Sequence, residues 1–252
     1  DLSLRGLSAK LGYPHTYLSR VENGDQLPSQ TLAEDLDAFY GLDGLIADLL
    51  AVAVAAEGPK YGHKVFEQEK RAARIQTFNS SLVPGLLQTE SYATALFRSL
   101  PGKDAEYIAL QVAKRSQRRA VLDSANPPFY WAIMDEAALR RPVGGPATMA
   151  EQITHILQRI ESSSAVQVQV LPFSRGGYPL MGGSLSLLTL RDGVSFAYVE
   201  SFASGVSVET PADVVDLTTR LDLAKAKALD SGESLALLRK YLKEYEDECQ
   251  PE

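Results

Sequence analysis

Residues Leu4 to Pro28 constrain this chain more tightly than any other stretch. Ser3 is a good N-cap for a helix beginning at Leu4. Leu4, Leu7, Ser8 and Leu11 fall on one face of that helix, and Gly12 stands where a left-handed C-terminal cap belongs. Pro14 suits the first turn of a second helix, where its missing N–H has no intrahelical partner. Leu18 and Val21 give that second helix an inward face, while His15, Thr16, Tyr17 and Arg20 point elsewhere. Asn23-Gly24 ends it with residues that tolerate positive φ. Two short helices with a tight glycine turn between them predict a helix-turn-helix. The second helix has the size and polarity to enter a DNA major groove.

The pattern continues as a small all-α bundle over residues 1–57. Ser29 caps a third helix carrying Leu32, Leu36 and Phe39 and closed by Gly41. Asp43 is expected to cap a fourth through Leu45, Ile46, Leu49, Leu50 and Val52. The run Glu57-Gly58-Pro59-Lys60-Tyr61-Gly62 breaks the helical period and marks the expected domain boundary. Beyond it, residues 63–248 read as a helix-rich α+β domain. Phe66, Ala72, Ala73, Ile75 and Phe78 suggest a helix from Val65 to about Asn79, with further helices after Thr89 and from Asp104 to Leu122. Phe129–Met134, Val166–Leu171, Leu185–Leu190 and Phe196–Val199 read as strands, with Val206–Glu209 as a further short one. Two helices, Pro211–Ala228 and Ser231–Tyr245, close the domain. The fold class is therefore α+β, an all-α helix-turn-helix bundle followed by helices around a small, mainly antiparallel sheet.

Charge limits the function classes. The 252 residues carry a formal net charge of −7, which argues against a nucleic-acid-coating protein. Up to Gly44, Arg5, Lys10 and Arg20 face seven acidic residues, Asp1, Glu22, Asp25, Glu34, Asp35, Asp37 and Asp43. Phosphate neutralisation supplies most non-specific DNA affinity, so such a surface binds weakly by charge alone. The lone cysteine, Cys249, excludes an internal disulfide framework and fits a reducing compartment. The most apolar run, Leu45–Ala56, holds Asp48 and is too short to span a bilayer. A cytoplasmic protein with no membrane association is expected.

Gly12, Leu18-Ser19, Glu22, Gly24 and Pro28 are spaced as in the Xre, or phage-repressor-like, helix-turn-helix family, which this segment resembles. The resemblance implies double-stranded DNA as a partner, with His15, Thr16 and Arg20 facing bases. It places Tyr17 near the backbone or a thymine methyl, and Asn23 completes the DNA-binding set. A dimer would present two such helices about 34 Å apart to a pseudo-palindromic site. Leu4 stands where the family often carries glutamine, which removes one hydrogen bond to DNA. The family also has a helix before the one at Leu4, so the resemblance implies a fragment or a start absent from this sequence.

Val83-Pro84-Gly85-Leu86-Leu87-Gln88-Thr89 with Tyr92-Ala93, then Trp131 and Asp135-Glu136-Ala137-Ala138-Leu139-Arg140, resemble the C-terminal domain of WhiJ-like regulators. Val168–Phe173 and Tyr198-Val199-Glu200-Ser201 extend the likeness. It implies an actinobacterial transcription regulator, often paired with a small protein in an antitoxin-like arrangement. The expected partners are therefore a second copy of the chain, as a homodimer, and a small protein encoded nearby or a small molecule.

Other chemistry is weakly signalled. Asp135, Glu136, Glu200 and Glu209, with His155 as a base, are the candidates for catalysis. Asp135-Glu136 opens a helix, where the dipole favours carboxylates for structural reasons, and His155 lies between apolar Ile153 and Ile156. His15, His63 and His155 are too scattered for a metal site. Gly176-Gly177 and Gly182-Gly183 lack a P-loop lysine and are expected to bracket a flexible loop. Neither cofactor, metal nor enzymatic activity is expected. Lys114-Arg115-Ser116-Gln117-Arg118-Arg119 reads as a solvated face pairing with local carboxylates rather than a second nucleic-acid patch. Trp131, Tyr130, Phe173, Tyr178 and Tyr198 are core aromatics or the lining of an effector pocket. The reading is a sequence-specific DNA-binding regulator. Its rival is a protein-interaction, antitoxin-like module with weak or vestigial DNA binding.

Overall fold

The computed structural model describes residues 2–57, 60–201 and 205–249, leaving aside the side chains of residues 54–64. The chain divides into two compact units, Asp1–Lys60 and Tyr61–Glu252.

The first unit is all-α: α1 (Leu4–Leu11), α2 (His15–Glu22), α3 (Gln30–Tyr40) and α4 (Leu45–Glu57). Caps set its boundaries. The Ser3 hydroxyl accepts the Gly6 N–H, and Gly12 and Gly41 end α1 and α3 in the left-handed region at φ 77° and 64°, which costs a glycine nothing. Asp43 does not cap α4; it lies in the turn at φ 47°. The capping group is Asp37, reaching from α3. Its carboxylate accepts the Ile46 and Ala47 N–H groups at 2.8 and 2.9 Å, and it is 7% exposed. A buried carboxylate needs such donors, and they fix α3 against α4.

The second unit opens with α5 (Lys60–Glu69) and then β1 (Ala72–Asn79). The helix expected from Val65 to Asn79 thus stops at Glu69, and the rest is a strand. The i, i+3 spacing of Ala72, Ile75 and Phe78 imitates a helix. In fact β1 is buried on both faces, a setting that erases strand alternation. A register shift between Ala72 and Arg74 disturbs it further. After a 3-10 turn (Gly85–Leu87) come α6 (Glu90–Arg98), α7 (Ala105–Arg119), β2 (Phe129–Asp135), α8 (Ala137–Arg140), α9 (Pro146–Ser162) and β3 (Val166–Leu171). β4 (Ser184–Leu190), β5 (Ser195–Glu200), β6 (Gly205–Val208), α10 (Pro211–Lys227) and α11 (Ser231–Glu248) complete it.

The six strands form one mixed sheet in the order β3-β2-β1-β4-β5-β6. β1, β2 and β3 are parallel, and β1–β4, β4–β5 and β5–β6 are antiparallel. One face packs Ile75, Tyr130, Met134, Val168 and Leu188 against α9 and α11 residues such as Met149, Ile153, Leu238 and Tyr241. The opposite face packs Phe78, Ile133, Leu185 and Ala197 against Leu221 and Ala224 of α10. The β3 edge is occupied by the chain itself: Ser234 Oγ accepts the Val170 N–H at 3.1 Å and Leu229 N–H reaches Val170 O at 2.9 Å.

Candidate nucleic-acid interface

The α1–α2 turn is held by side chains. Ser8 Oγ donates to Tyr13 O at 2.6 Å, spanning the turn at Gly12. Leu18, 3% exposed, seats α2 in the bundle, a burial that stabilises by about 2 kcal/mol. Tyr13 donates to Asp35 on α3 at 2.6 Å. That hydrogen bond, then burial, pushes the phenol up to about 12. The Tyr17 hydroxyl accepts the Ser29 N–H at 2.7 Å. Tyr13 therefore ties the α1–α2 turn to the body of α3, and Tyr17 ties α2 to its start.

With that side anchored, helical geometry decides what faces out. Thr16, Arg20 and Asn23 stand at i, i+4 and i+7 and make one stripe, and all three are exposed. His15 is exposed on the flank of that stripe, while Tyr17 is half-buried. Asn23 Nδ2 lies 3.5 Å from Ser19 Oγ. At the N-terminus of α2, Pro14 O accepts the Tyr17 and Leu18 N–H groups, and no side chain caps the helix. Uncapped N–H groups and the positive end of the helix dipole suit a phosphate. Part of the acidity of the unit is structural. Asp35 holds Tyr13, Asp37 caps α4, and Glu34 accepts from Gln30 at 2.9 Å, all on α3. Arg5, Lys10 and Arg20 belong to α1 and α2, so the cations sit on the two helices of the motif.

The remaining sequence candidates lie in the second unit, and the structure gives most of them partners. Asp135, at the end of β2, accepts the Tyr178 O–H at 2.6 Å and the Ala137 N–H at 2.8 Å. Glu136 accepts the Phe173 N–H and the Tyr241 O–H, each at 2.7 Å. His155 packs with its Nε2 buried and unpartnered. Burial, then Arg119 and Arg159, lower its pKa. Among the described residues no group of His, Cys, Asp and Glu is arranged to hold a metal, and no helix is long and apolar enough to cross a membrane. The basic run on α7 turns inward rather than to solvent. Arg118 forms two 2.6 Å hydrogen bonds with Glu69, Arg115 donates to Gln88 Oε1 at 2.7 Å, and Arg119 donates to Gln88 O at 2.9 Å.

Gln88 is the centre of a polar knot that sequence reading missed. Its Nε2 donates to Val83 O at 2.7 Å, and Gln152 of α9 bonds Leu87 O and the Thr89 N–H at 2.7 and 2.8 Å. A Cβ on Gly85 would meet the Arg115 and Arg118 guanidinium groups at 3.0 and 3.2 Å, so the glycine leaves room for them. The Val83–Thr89 motif is thus a buried splice between α7, α9 and the loop after β1.

Two comparisons bear on this architecture. Residues 1–50 match a helix-turn-helix domain family, and residues 63–240 match a domain of unknown function, DUF5753. No curated protein and no solved structure matches the chain. The helix-turn-helix match makes the first unit a DNA-binding type of domain and supports a DNA-binding regulator. Since the larger match spans most of the sequence, the chain belongs to the DUF5753 family.

Proposed function

We propose that this protein is a cytoplasmic, sequence-specific transcription regulator of the Xre type with a WhiJ-like C-terminal domain, acting as a homodimer and without enzymatic activity. The observation that carries the reading is the exposed stripe of Thr16, Arg20 and Asn23 on the second helix of the helix-turn-helix, with His15 beside it. Arg20 makes no ion pair with the described residues, so its guanidinium fork is available to a guanine edge. A bidentate pair of that kind contributes about 1–3 kcal/mol of discrimination. Tyr17, anchored through Ser29, positions the helix and presents its O–H to the DNA backbone. The second unit receives the signal, from a small protein encoded nearby or from a small molecule.

The test is a salt-titrated binding assay of the full-length protein on DNA from its own upstream region. Arg20→Ala should lower specific affinity by roughly 5- to 150-fold while non-specific affinity falls far less. An unchanged ratio of specific to non-specific binding removes Arg20 from base reading. The acidity of the first unit favours the second reading, a protein-interaction module with weak DNA binding. Co-purification with a small neighbouring protein, and no footprint at any salt concentration, would establish that alternative.

A further inference from the structure

The parallel strands β1, β2 and β3 end on the same edge of the sheet, the edge where open α/β sheets place ligands. β4 lies on the far side of β1 from β3. The β3–β4 connection must therefore cross the carboxyl ends of β2 and β1, about 14 Å at ordinary strand spacing. It forms a roof, and beneath it is a cavity of about 540 Å³ lined by Ser80, Ser81, Asp135, Phe173, Tyr178 and Met181, with Pro172, Gly176 and Gly177. That volume lies within the range of small-molecule sites.

The roof is fixed from three sides. Tyr178 donates to Asp135 at 2.6 Å, the Phe173 N–H to Glu136 at 2.7 Å, and Lys227 Nζ to Gly177 O at 2.6 Å. The Tyr178 ring also packs edge-on to Phe78, with centroids 5.3 Å apart. The cavity is therefore preformed, and its ligand need not order the loop. Its walls state a preference. Phe173 and Met181 are 55% and 61% exposed and give the cavity an apolar mouth. The Ser80 and Ser81 hydroxyls make no hydrogen bond to the described residues. Among the described residues Asp135 is the only charged one in the lining, with the Lys227 ammonium outside it and engaged by Gly177 O, and each Asp135 oxygen keeps a lone pair beyond the bonds named.

We propose that this cavity binds a small neutral or cationic amphiphile, its apolar ring or chain against Phe173 and Met181 and its hydroxyl or amine donor on Asp135 and the two serines. Anionic ligands are disfavoured by the buried carboxylate. The inference deepens the regulatory reading above and rests on it only for its meaning in signalling; binding itself is tested without DNA.

The experiment titrates the ¹⁵N-labelled full-length protein with 2-phenylethanol, phenethylamine and phenylacetate, one aromatic body with neutral, cationic and anionic heads. The alcohol and the amine should saturably shift the Ser80, Ser81, Gly176, Gly177 and Tyr178 amides in roughly the millimolar range. Phenylacetate should bind at least about ten-fold more weakly than phenethylamine. A Cβ at Gly177 meets nothing nearer than Met181 Sδ at 3.8 Å, so a side chain can start from this lining position without a clash at its Cβ, and the ring of Gly177→Phe should occlude the cavity and abolish the shifts. Trp131, the sole tryptophan, reports by its emission that this variant is folded. In Asp135→Asn the alcohol should still bind while the preference for amine over carboxylate disappears. The proposal is overturned by the absence of saturable shifts at those amides with alcohol and amine, by phenylacetate binding as tightly as the amine, or by undiminished shifts in folded Gly177→Phe. Failure here leaves operator binding by Arg20 untouched, and failure there leaves the cavity titration unchanged.

Discussion

Glu69 offers a sharp test of what holds the second unit together. Its side chain is 1% exposed and meets Arg118, 17% exposed, through two 2.6 Å hydrogen bonds. The same guanidinium stacks 4.2 Å from the Phe66 ring centroid. Arg115 lies alongside, its pKa lowered to about 10 by burial and then by Arg118. Glu69→Gln keeps the volume but leaves two neighbouring guanidiniums with no carboxylate hydrogen-bonded to them. Removing one partner of a buried pair costs about 3–5 kcal/mol, and the partial exposure of Arg118 places the cost near the lower end, about 3 kcal/mol. With a urea m-value of about 3 kcal/mol/M, the midpoint falls by about 1 M. Trp131 sits in β2, so its emission follows this unit. The comparison is Glu161→Gln, whose Arg239 pair at 3.3 Å is 62% and 61% exposed and should cost no more than about 0.5 kcal/mol. Replacing both partners, Glu69→Leu with Arg118→Met, should recover more than half of the loss. The reasoning is refuted if Glu69→Gln shifts the midpoint no further than Glu161→Gln does.

Asp37→Ala removes both acceptors at the start of α4 and should cost the first unit about 2 kcal/mol; far-ultraviolet circular dichroism should show earlier helix loss while Trp131 emission is unchanged. The described buried apolar residues of the first unit are only Leu18, Leu32, Ala33 and Leu50, so it should unfold before the second. Operator DNA at 100 times its Kd should stabilise it by about 2.7 kcal/mol, and two transitions that stay coincident by both probes would contradict this. Because the folded His155 pKa lies below its ordinary 6.5, the unfolded chain takes up that proton first as pH falls. Its contribution is full above pH 6.5 and declines below it toward the lower folded value. Melting temperature against pH should be flatter for His155→Leu in that window, whereas the Asp123 contribution is lost only below its ordinary 3.8.

The first unit was legible because its signals are local. Ser3, Gly12, Ser29 and Gly41 act within four residues of themselves, and Leu18 and the outward stripe follow from helical periodicity alone. The central strand β1 was not legible. Both its faces are buried, its pairing partners lie more than fifty residues away, and Ala72, Ile75 and Phe78 happen to repeat at a helical interval. The carboxylates show the same contrast. Asp135 and Glu136 read as a helix start favoured by the dipole, yet their partners are Tyr178, Phe173 and Tyr241, the last 105 residues distant. No period or spacing carries that information. Gly176-Gly177 read as a flexible loop for the same reason, because the three bonds that tether it come from β2, the residue after it and α10. Among the aromatics of the second unit, Phe173 and Tyr178 line the cavity, while Tyr130 and Tyr198 are core. Trp131 lies on the α10 face, under Lys225 at 4.3 Å and bonded to Gln169.

The polar knot at Gln88 and the cavity share one strand end. Ser80 and Ser81 leave β1 as cavity wall, and two residues later Val83 enters the network of Gln88, Tyr92 and Gln152. That network is buried, so displacing any member strands a polar group without water, a cost of about 1–3 kcal/mol each. Residues 80–82 therefore cannot move freely; their downstream anchor is stiff, and only concerted repacking of α7 and α9 would shift it. The opposite wall is held by three hydrogen bonds, to Asp135, to Glu136 and from Lys227, and by the edge-on packing of Tyr178 against Phe78. Both walls are therefore set before a ligand arrives, one by the Gln88 knot and the other by the β2-end carboxylates and Lys227 of α10.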